Sequence, residues 1–308
     1  MTLAVASAPE HFAPRAAAPG PIVGAMRWDR RSLVVAALLA GACAAERGPA
    51  QHFNVDDPPI TEGAWYRPGK EARWQWQLSG APINTTYDVE VVDVDLFERQ
   101  ADVPALQAAG FRVICYFSAG SSEDWRPDFD RFDDADLGKR LDGWAGERWL
   151  DIRSPGVWEI MLDRLDLAAQ AGCDGVEPDN VDGFANNTGF SLTATDQLAF
   201  NRALANAAHE RGLAVALKND GDQVPELVDY FDLSLNEQCH EYDECDQLQP
   251  FLDAGKPVFN AEYTNADDLA AAEALAASVC PAALSQGLRT LILPWDLDDA
   301  FRVSCDEG

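Results

Sequence analysis

Four carboxylates fall within nine residues, Asp174, Glu177, Asp179 and Asp182, in the stretch Gly172-Cys173-Asp174-Gly175-Val176-Glu177-Pro178-Asp179-Asn180-Val181-Asp182-Gly183-Phe184. Gly175 and Val176 read as a short strand entering a turn, and Pro178, which has no N–H, ends any ladder. Side chains alternate along a strand, so Glu177 and Asp179 point to one side and Pro178 to the other. Two carboxylates, an amide (Asn180) and a glycine at the carboxyl end of a strand resemble the rim of an α/β barrel, where catalytic groups gather. A protonated and an ionised carboxyl held across one bond can act as general acid and general base. The plainer reading is an Asp/Asn/Gly-rich turn that caps the next helix.

The elements that would position these acids are legible as alternating short apolar runs and amphipathic runs. Strands are expected at Arg73–Leu78, Val89–Asp93, Arg112–Phe117, Trp149–Ile152, Asp174–Glu177, Ala214–Lys218, Phe231–Leu235, Val258–Glu262 and Thr290–Leu293. Helices are expected at Val103–Ala109, Val157–Ala171, Thr193–Arg211, Gln223–Val228, Gln247–Ala254 and Asp267–Cys280. Several of these helices end in a glycine followed at once by a strand, as at Gly110, Gly172, Gly212 and Gly255, which is how αβ loops are written. Repeated βα units predict a (β/α)8 barrel or an open doubly wound sheet. A barrel needs eight strands, so one candidate is surplus, and Trp149–Ile152 is assigned to the rim. There is no GxGxxG and no GxxxxGK[ST], so nucleotide binding is not expected.

Polar and aromatic residues recur where the strands end. Asp93 and Asp95, Tyr116, Glu177, Asp179 and Asn180, Lys218, Asn236 and Glu237, Glu262 and Tyr263, and Trp295 would converge on one rim. Helix capping accounts for some of the Asp and Asn. It does not account for Lys218, Glu237, Tyr116 or Trp295. A polar, aromatic-lined site at the carboxyl rim is the reading that covers all of them.

The net charge is −29 over 308 residues. Nucleic acid and anionic membrane are thereby poor partners, and a cationic or neutral ligand is better suited. Residues 1–25 are Ala/Pro-rich and read as a mis-assigned leader. From Met26 a basic segment, a short apolar run and small residues precede Cys43, the layout of a lipoprotein-type signal over 26–43. Membrane contact is expected only through a lipid on Cys43, and the protein is expected to be exported, anchored at the envelope or secreted. Residues 44–72 carry several Pro and Gly and read as a tether and N-terminal loop ahead of a domain over 73–308. A monomer is expected.

Setting Cys43 aside leaves six cysteines, which an exported chain can keep as disulfides. Cys239 and Cys245 bracket a short acidic loop and form the first expected pair. Cys280 and Cys305 are a second candidate pair, and Cys115 and Cys173 sit in apolar strand contexts that suit buried thiols. No Cys/His spacing fits zinc, and the stretch from Asp174 lacks the terminal Glu of a calcium loop, so no metal and no cofactor are expected.

In chain order, Trp74-Gln75-Trp76-Gln77-Leu78-Ser79-Gly80, Asp93-Val94-Asp95, Val113-Ile114-Cys115-Tyr116-Phe117-Ser118-Ala119-Gly120, the Gly175–Gly183 stretch, Lys218-Asn219 and Asn236-Glu237-Gln238-Cys239 resemble glycoside hydrolase family 114, the endo-α-1,4-polygalactosaminidase family. The resemblance spans roughly residues 73–295. It implies a (β/α)8 barrel that cleaves α-1,4-linked galactosamine-containing polysaccharide, with Asp179 and Glu237 as the catalytic pair. Many relatives carry Asp-Pro-Asp-Asn where this chain has Glu177-Pro178-Asp179-Asn180. Asp93, Asp95 and Glu177 are then candidate ligands for a sugar ammonium or hydrogen-bonders at the rim. Asn180, Lys218, Asn236 and Glu262 are further candidate polar contacts. Tyr116, Trp125, Tyr263 and Trp295 are candidates to stack on sugar faces or to pack the rim. The competing reading is a surface lipoprotein that binds amino-sugar polymer without cutting it.

Overall fold

The computed structural model describes residues 53–264 and 268–306. The leader, the signal-type segment with Cys43 and the tether as far as residue 52 lie outside the described residues. Eight parallel strands pair in chain order: β1 (Trp74–Gln77), β2 (Val91–Asp95), β3 (Arg112–Ser118), β4 (Gly175–Asp179), β5 (Ala214–Lys218), β6 (Leu233–Glu237), β7 (Val258–Glu262) and β8 (Arg289–Ile292). Both faces of this sheet are covered, which is why the strands read as near-continuous apolar runs. One face closes on itself around Trp74, Trp76, Ile114, Leu235, Phe259 and Leu291. The alternate residues, among them Val92, Val113, Val176 and Val215, pack outward with the helices. Burying such side chains stabilises the fold by about 1.5–3 kcal/mol each. The fold is the expected (β/α)8 barrel, curled from β1 round to β8.

The seam between β1 and β8 is joined by side chains. Trp74 Nε1 donates to the Arg289 carbonyl at 2.8 Å, and its ring stacks on Phe259 with centroids 4.7 Å apart. Arg302 donates to the Trp74 carbonyl at 2.9 Å. A short strand at Val303–Ser304, not foreseen from sequence, runs antiparallel on β8.

Strands β2 and β6 end two residues later than expected, which brings Asp95 and Glu237 into the strands themselves. The helix Ala194–Glu210 begins at a reciprocal capping box between Thr193 and Asp196. The last helix, Leu269–Gln286, is capped by Asp268 and runs on through Pro281, where the sequence had suggested a stop. Glu147–Leu150 pairs antiparallel with Ser121–Glu123 and Leu137–Arg140 in a separate three-stranded sheet. The surplus strand candidate therefore belongs to the rim, inserted between β3 and the helix Pro155–Ala171.

One expectation is corrected, that Cys115 and Cys173 are buried thiols. Residues 53–72, the later part of the expected tether and N-terminal loop, pack on the barrel. Phe53 packs edge-on against Trp158 and Phe200, and Trp65 stacks on His209 while donating to Asp232 at 3.0 Å. Cys115 and Cys173 are joined in a disulfide, alongside Cys239–Cys245 and Cys280–Cys305. Cys115 faces outward from β3 and Cys173 lies just before β4. These strands are neighbours, and the two Cα atoms stand 6.1 Å apart.

Candidate active site

Three consecutive strands end on a charge: Asp179 on β4, Lys218 on β5 and Glu237 on β6. The residue after each is left-handed: Asn180 at φ 60°, Asn219 at φ 48° and Gln238 at φ 61°. Asn adopts this region more readily than most residues, whereas Gln238 is held there at a cost on the order of 1–3 kcal/mol. The backbone thus turns sharply at each charged end. Gly120 lets the chain after β3 pass close to this turn, because a Cβ there would lie 1.7 Å from the Asn180 carbonyl oxygen.

Lys218 is 2% exposed, and its ammonium meets three carboxylates, Asp179 Oδ1 at 3.0 Å, Glu177 Oε1 at 3.1 Å and Glu237 Oε2 at 3.2 Å. The Trp76 ring lies 4.8 Å from Nζ. Burial by itself would lower the Lys218 pKa, but Asp179, Glu237 and Glu177 outweigh it and hold the ammonium well above the ordinary lysine value. Asp179 accepts from four donors: Lys218 Nζ, the Asn180 N–H at 2.7 Å, the Tyr116 hydroxyl at 3.0 Å and Asn180 Nδ2 at 3.3 Å. Glu237 accepts from the Tyr263 hydroxyl at 2.6 Å on Oε1, while Oε2 faces Lys218 and Asn219. Trp295 stacks on Tyr263 with centroids 4.2 Å apart. Burial, then the neighbouring carboxylates, keep Tyr116 and Tyr263 well above the usual phenol value, so both remain O–H donors.

The structure therefore gathers Asp179, Glu237, Glu177, Lys218, Tyr116, Tyr263, Asn180 and Trp295 into one connected group. Glu177 lies beneath the other acids, fully buried, and accepts from Trp76 Nε1 at 3.1 Å. Burial pushes its pKa up to about 7 against the pull of Lys218. Asp93 is deeper still, 1% exposed on the floor. Asp95 is clamped by Arg126 through both oxygens, and Oδ1 also caps the helix Leu96–Arg99. Asn236 and Glu262 stand on the outer face, because strand parity opposes them to Leu235 and Tyr263. Asn236 bonds Asn219 and Asn260, and Glu262 accepts from the His240 N–H and Asn260. These two support the loops behind the site.

A cleft of about 400 Å³ opens over the group, lined by Trp76, Tyr116, Asp179, Lys218 and Glu237 on the barrel side; that volume suits a small ligand. Its opposite wall is the rim sheet, which contributes Leu141, Trp144, Glu147 and Trp149. Sequence reasoning put Trp149–Ile152 at the rim but named none of these four as site residues. Trp144 is 56% exposed, and Glu147 is buried with Ser121 Oγ donating to it at 2.7 Å. An exposed Trp in a short antiparallel insertion is the signal that could have found it. A larger hollow of about 730 Å³ lies between Phe97 and the helix Pro155–Ala171, and the expected stacker Trp125 faces that hollow instead of the cleft.

A family model described as glycoside-hydrolase family GH114 matches residues 56–308. The crystal structure of Aspergillus fumigatus Ega3 in complex with galactosamine is 46% identical, has a TM-score of 0.74, and aligns over 79% of this chain and 99% of that one. The glycoside hydrolase domain of PelA from Pseudomonas aeruginosa shares the fold at 18% identity and a TM-score of 0.60, over 75% of this chain and 98% of that one. An uncharacterized protein of Deinococcus radiodurans is 28% identical over 308 residues, covering 85% of this chain and 99% of its own.

Proposed function

The chain belongs to glycoside hydrolase family GH114 and is a glycosidase, and from that premise we propose that it cleaves α-1,4-linked galactosamine-containing polysaccharide with Asp179 and Glu237. The observation that carries this reading is the pair of carboxylates from different strands held on one buried ammonium at the cleft floor. The similarity to Ega3, solved with galactosamine bound, supports an amino sugar as substrate. The charge of −29 supports a cationic polymer.

Asp179, pinned by four donors, suits the group that must stay ionised and fixed. Glu237 is the more open of the two, with its side chain 27% exposed against 18% for Asp179. In this scheme Glu237 gives its proton to the glycosidic oxygen as the C1–O bond breaks. Asp179 Oδ2 bonds C1 as that bond breaks, and Glu237 then takes a proton from the water that displaces Asp179 from C1. Retaining enzymes hold their carboxyls about 5–5.5 Å apart and inverting ones about 6.5–9.5 Å. The nearest oxygens of Asp179 and Glu237 both bond the same nitrogen, so they lie no farther apart than two hydrogen bonds laid end to end. This favours a retaining course, with Asp179 as nucleophile. Tyr116, Asn180 and Tyr263 orient the pair, and Trp295 supports Tyr263.

The test compares wild type, Asp179→Asn and Glu237→Gln on a panel of amino-sugar polymers, reading reducing ends. Asp179→Asn should fold and lose activity by orders of magnitude. Glu237→Gln should fall steeply on polymer but less on substrates with a good leaving group. Wild-type binding without reducing-end release would instead identify a non-cutting binder.

Three disulfides favour maturation in an oxidising, extracytoplasmic compartment. A lipid anchor at Cys43 is the finer proposal, resting on the apolar run before it. Intact mass from the membrane fraction should begin at a modified Cys43; a product that keeps Arg27–Arg31 contradicts it.

A further inference from the structure

Asp93 lies on the floor of the site, and the scheme above does not use it. It projects from the same face of β2 as Val91, which belongs to the barrel-interior cluster. Neither carboxyl oxygen meets a hydrogen-bond donor among the described N–H and O–H groups. For an ionised acid in a dry interior that state is very costly. The acid beside it in the barrel interior is Glu177, whose donor Trp76 is the register partner of Asp93 on β1, and the charge of Glu177 acts on Asp93. Two ionised carboxylates offer each other only acceptors, so a bond between them requires a proton. Glu177 already accepts from Trp76 and pairs with Lys218. Asp93 has no such partner, so the proton belongs on Asp93.

We propose that Asp93 is held as a neutral acid that donates to Glu177, and that this pair is the positioning device that keeps Lys218 drawn up between Asp179 and Glu237. The inference deepens the assignment of those two as the reacting pair and rests on it. The charged groups facing Asp93 are Glu177, Lys218 and Asp95, and Asp95 is neutralised by Arg126. Glu177 also faces Asp179, with the Tyr116 and Tyr263 hydroxyls nearby. An ionised Asp93 would compete for the ammonium from below and loosen its hold on the two upper carboxylates. A neutral Asp93 removes that competition and leaves Glu177 Oε1 to the ammonium. Burial, followed by the charge of Glu177, raises the Asp93 pKa well above the usual carboxylate range, in keeping with this arrangement.

The experiment uses the full chain and two variants. Asp93→Asn keeps the shape and a donor but cannot ionise; Asp93→Leu removes the donor. Infrared difference spectra of wild type minus Asp93→Asn at neutral pH should show a protonated-carboxyl stretch, and no such band overturns the proposal. This readout needs no turnover, so its failure is distinct from failure of the Asp179→Asn test. In kinetics, Asp93→Asn should retain kcat within about threefold and extend activity to higher pH, because the floor can no longer acquire a charge. Asp93→Leu should lower kcat roughly tenfold to a hundredfold with KM little changed. Wild-type kcat in Asp93→Leu, or an unchanged alkaline limb in Asp93→Asn, overturns the positioning role. If the Leu variant does not fold, the Asn spectrum and pH profile still decide.

Discussion

The Tyr263 hydroxyl donates to Oε1 of Glu237 over 2.6 Å, and the same ring is stacked against Trp295. The oxygen of Glu237 that Lys218 does not touch is thus steered by a buried phenol. A phenol oxygen can donate to the ionised acid and accept from the protonated one, so Tyr263 can follow Glu237 through both halves of a proton transfer.

Removal of that hydroxyl should be felt in the chemical step. Tyr263→Phe keeps the ring and its stack on Trp295, so the fold should be retained. We expect kcat on polymer to fall roughly tenfold with KM nearly unchanged, and the loss to shrink for substrates that need no protonation. Steady-state kinetics on polymer and on an activated glycoside measure this. An unchanged kcat on polymer would show that Tyr263 only packs.

Stability should decline as pH rises from the acid range to about 8. Asp220 is buried beside Asn201, and burial, then the charge of Asp182, push its pKa up to about 8. Burial likewise pushes Glu147 to about 7. An acid whose pKa rises on folding stabilises the fold while protonated. That contribution is complete below the unfolded values of about 3.9 for Asp and 4.3 for Glu and disappears as pH climbs through about 7 for Glu147 and about 8 for Asp220. Thermal unfolding between pH 5 and pH 9 should show the decline, and Asp220→Asn should flatten its upper part. A variant with the same slope as wild type would remove Asp220 from the account.

The disulfide Cys115–Cys173 closes a span of 58 residues that contains the rim sheet and the whole helix Pro155–Ala171. The chain-entropy estimate for so long a loop is about 4 kcal/mol. The double variant Cys115→Ala, Cys173→Ala should therefore unfold at markedly lower urea concentration while retaining activity at moderate temperature. Free thiols at both positions in the unreduced native protein would contradict the pairing.

Barrel strands, the rim insertion and the residues gathered around Lys218 were legible because the polar groups stand at the ends of apolar runs, a pattern local in sequence. What was hidden depends on partners distant in sequence. Asp95 has the same local text as Asp93, but Arg126 on the rim loop engages it and removes it from the cleft. Asn236 and Glu262 look like rim groups until one inward residue of each strand is known, after which parity sends them to the outer face. The disulfide of Cys115 follows from β3 and β4 being neighbours, which a list of strands does not state. Asp93 and Glu177 were legible as acids, while their burial follows from how far below the rim the register places them.

The cleft has two walls of different provenance. One is the barrel itself, where the charges are interlocked. The other is a single excursion of the chain, residues 121–150, folded as its own small sheet and secured internally by Arg148 to the carbonyls of Leu137 and Gly138. It is joined to the barrel at two places: Ser118, Ser121 and Asn180 share hydrogen bonds beside the charged group, and Arg126 clamps Asp95 on β2. That makes the wall a separable cassette. On the proposed function, changes to its aromatic and charged surface would alter which polymer is admitted and leave the charges on the barrel strands in place. Replacing this segment is the test of whether it sets what enters the cleft, and the replacement has to keep both the serine–asparagine joint and the Arg126–Asp95 pair.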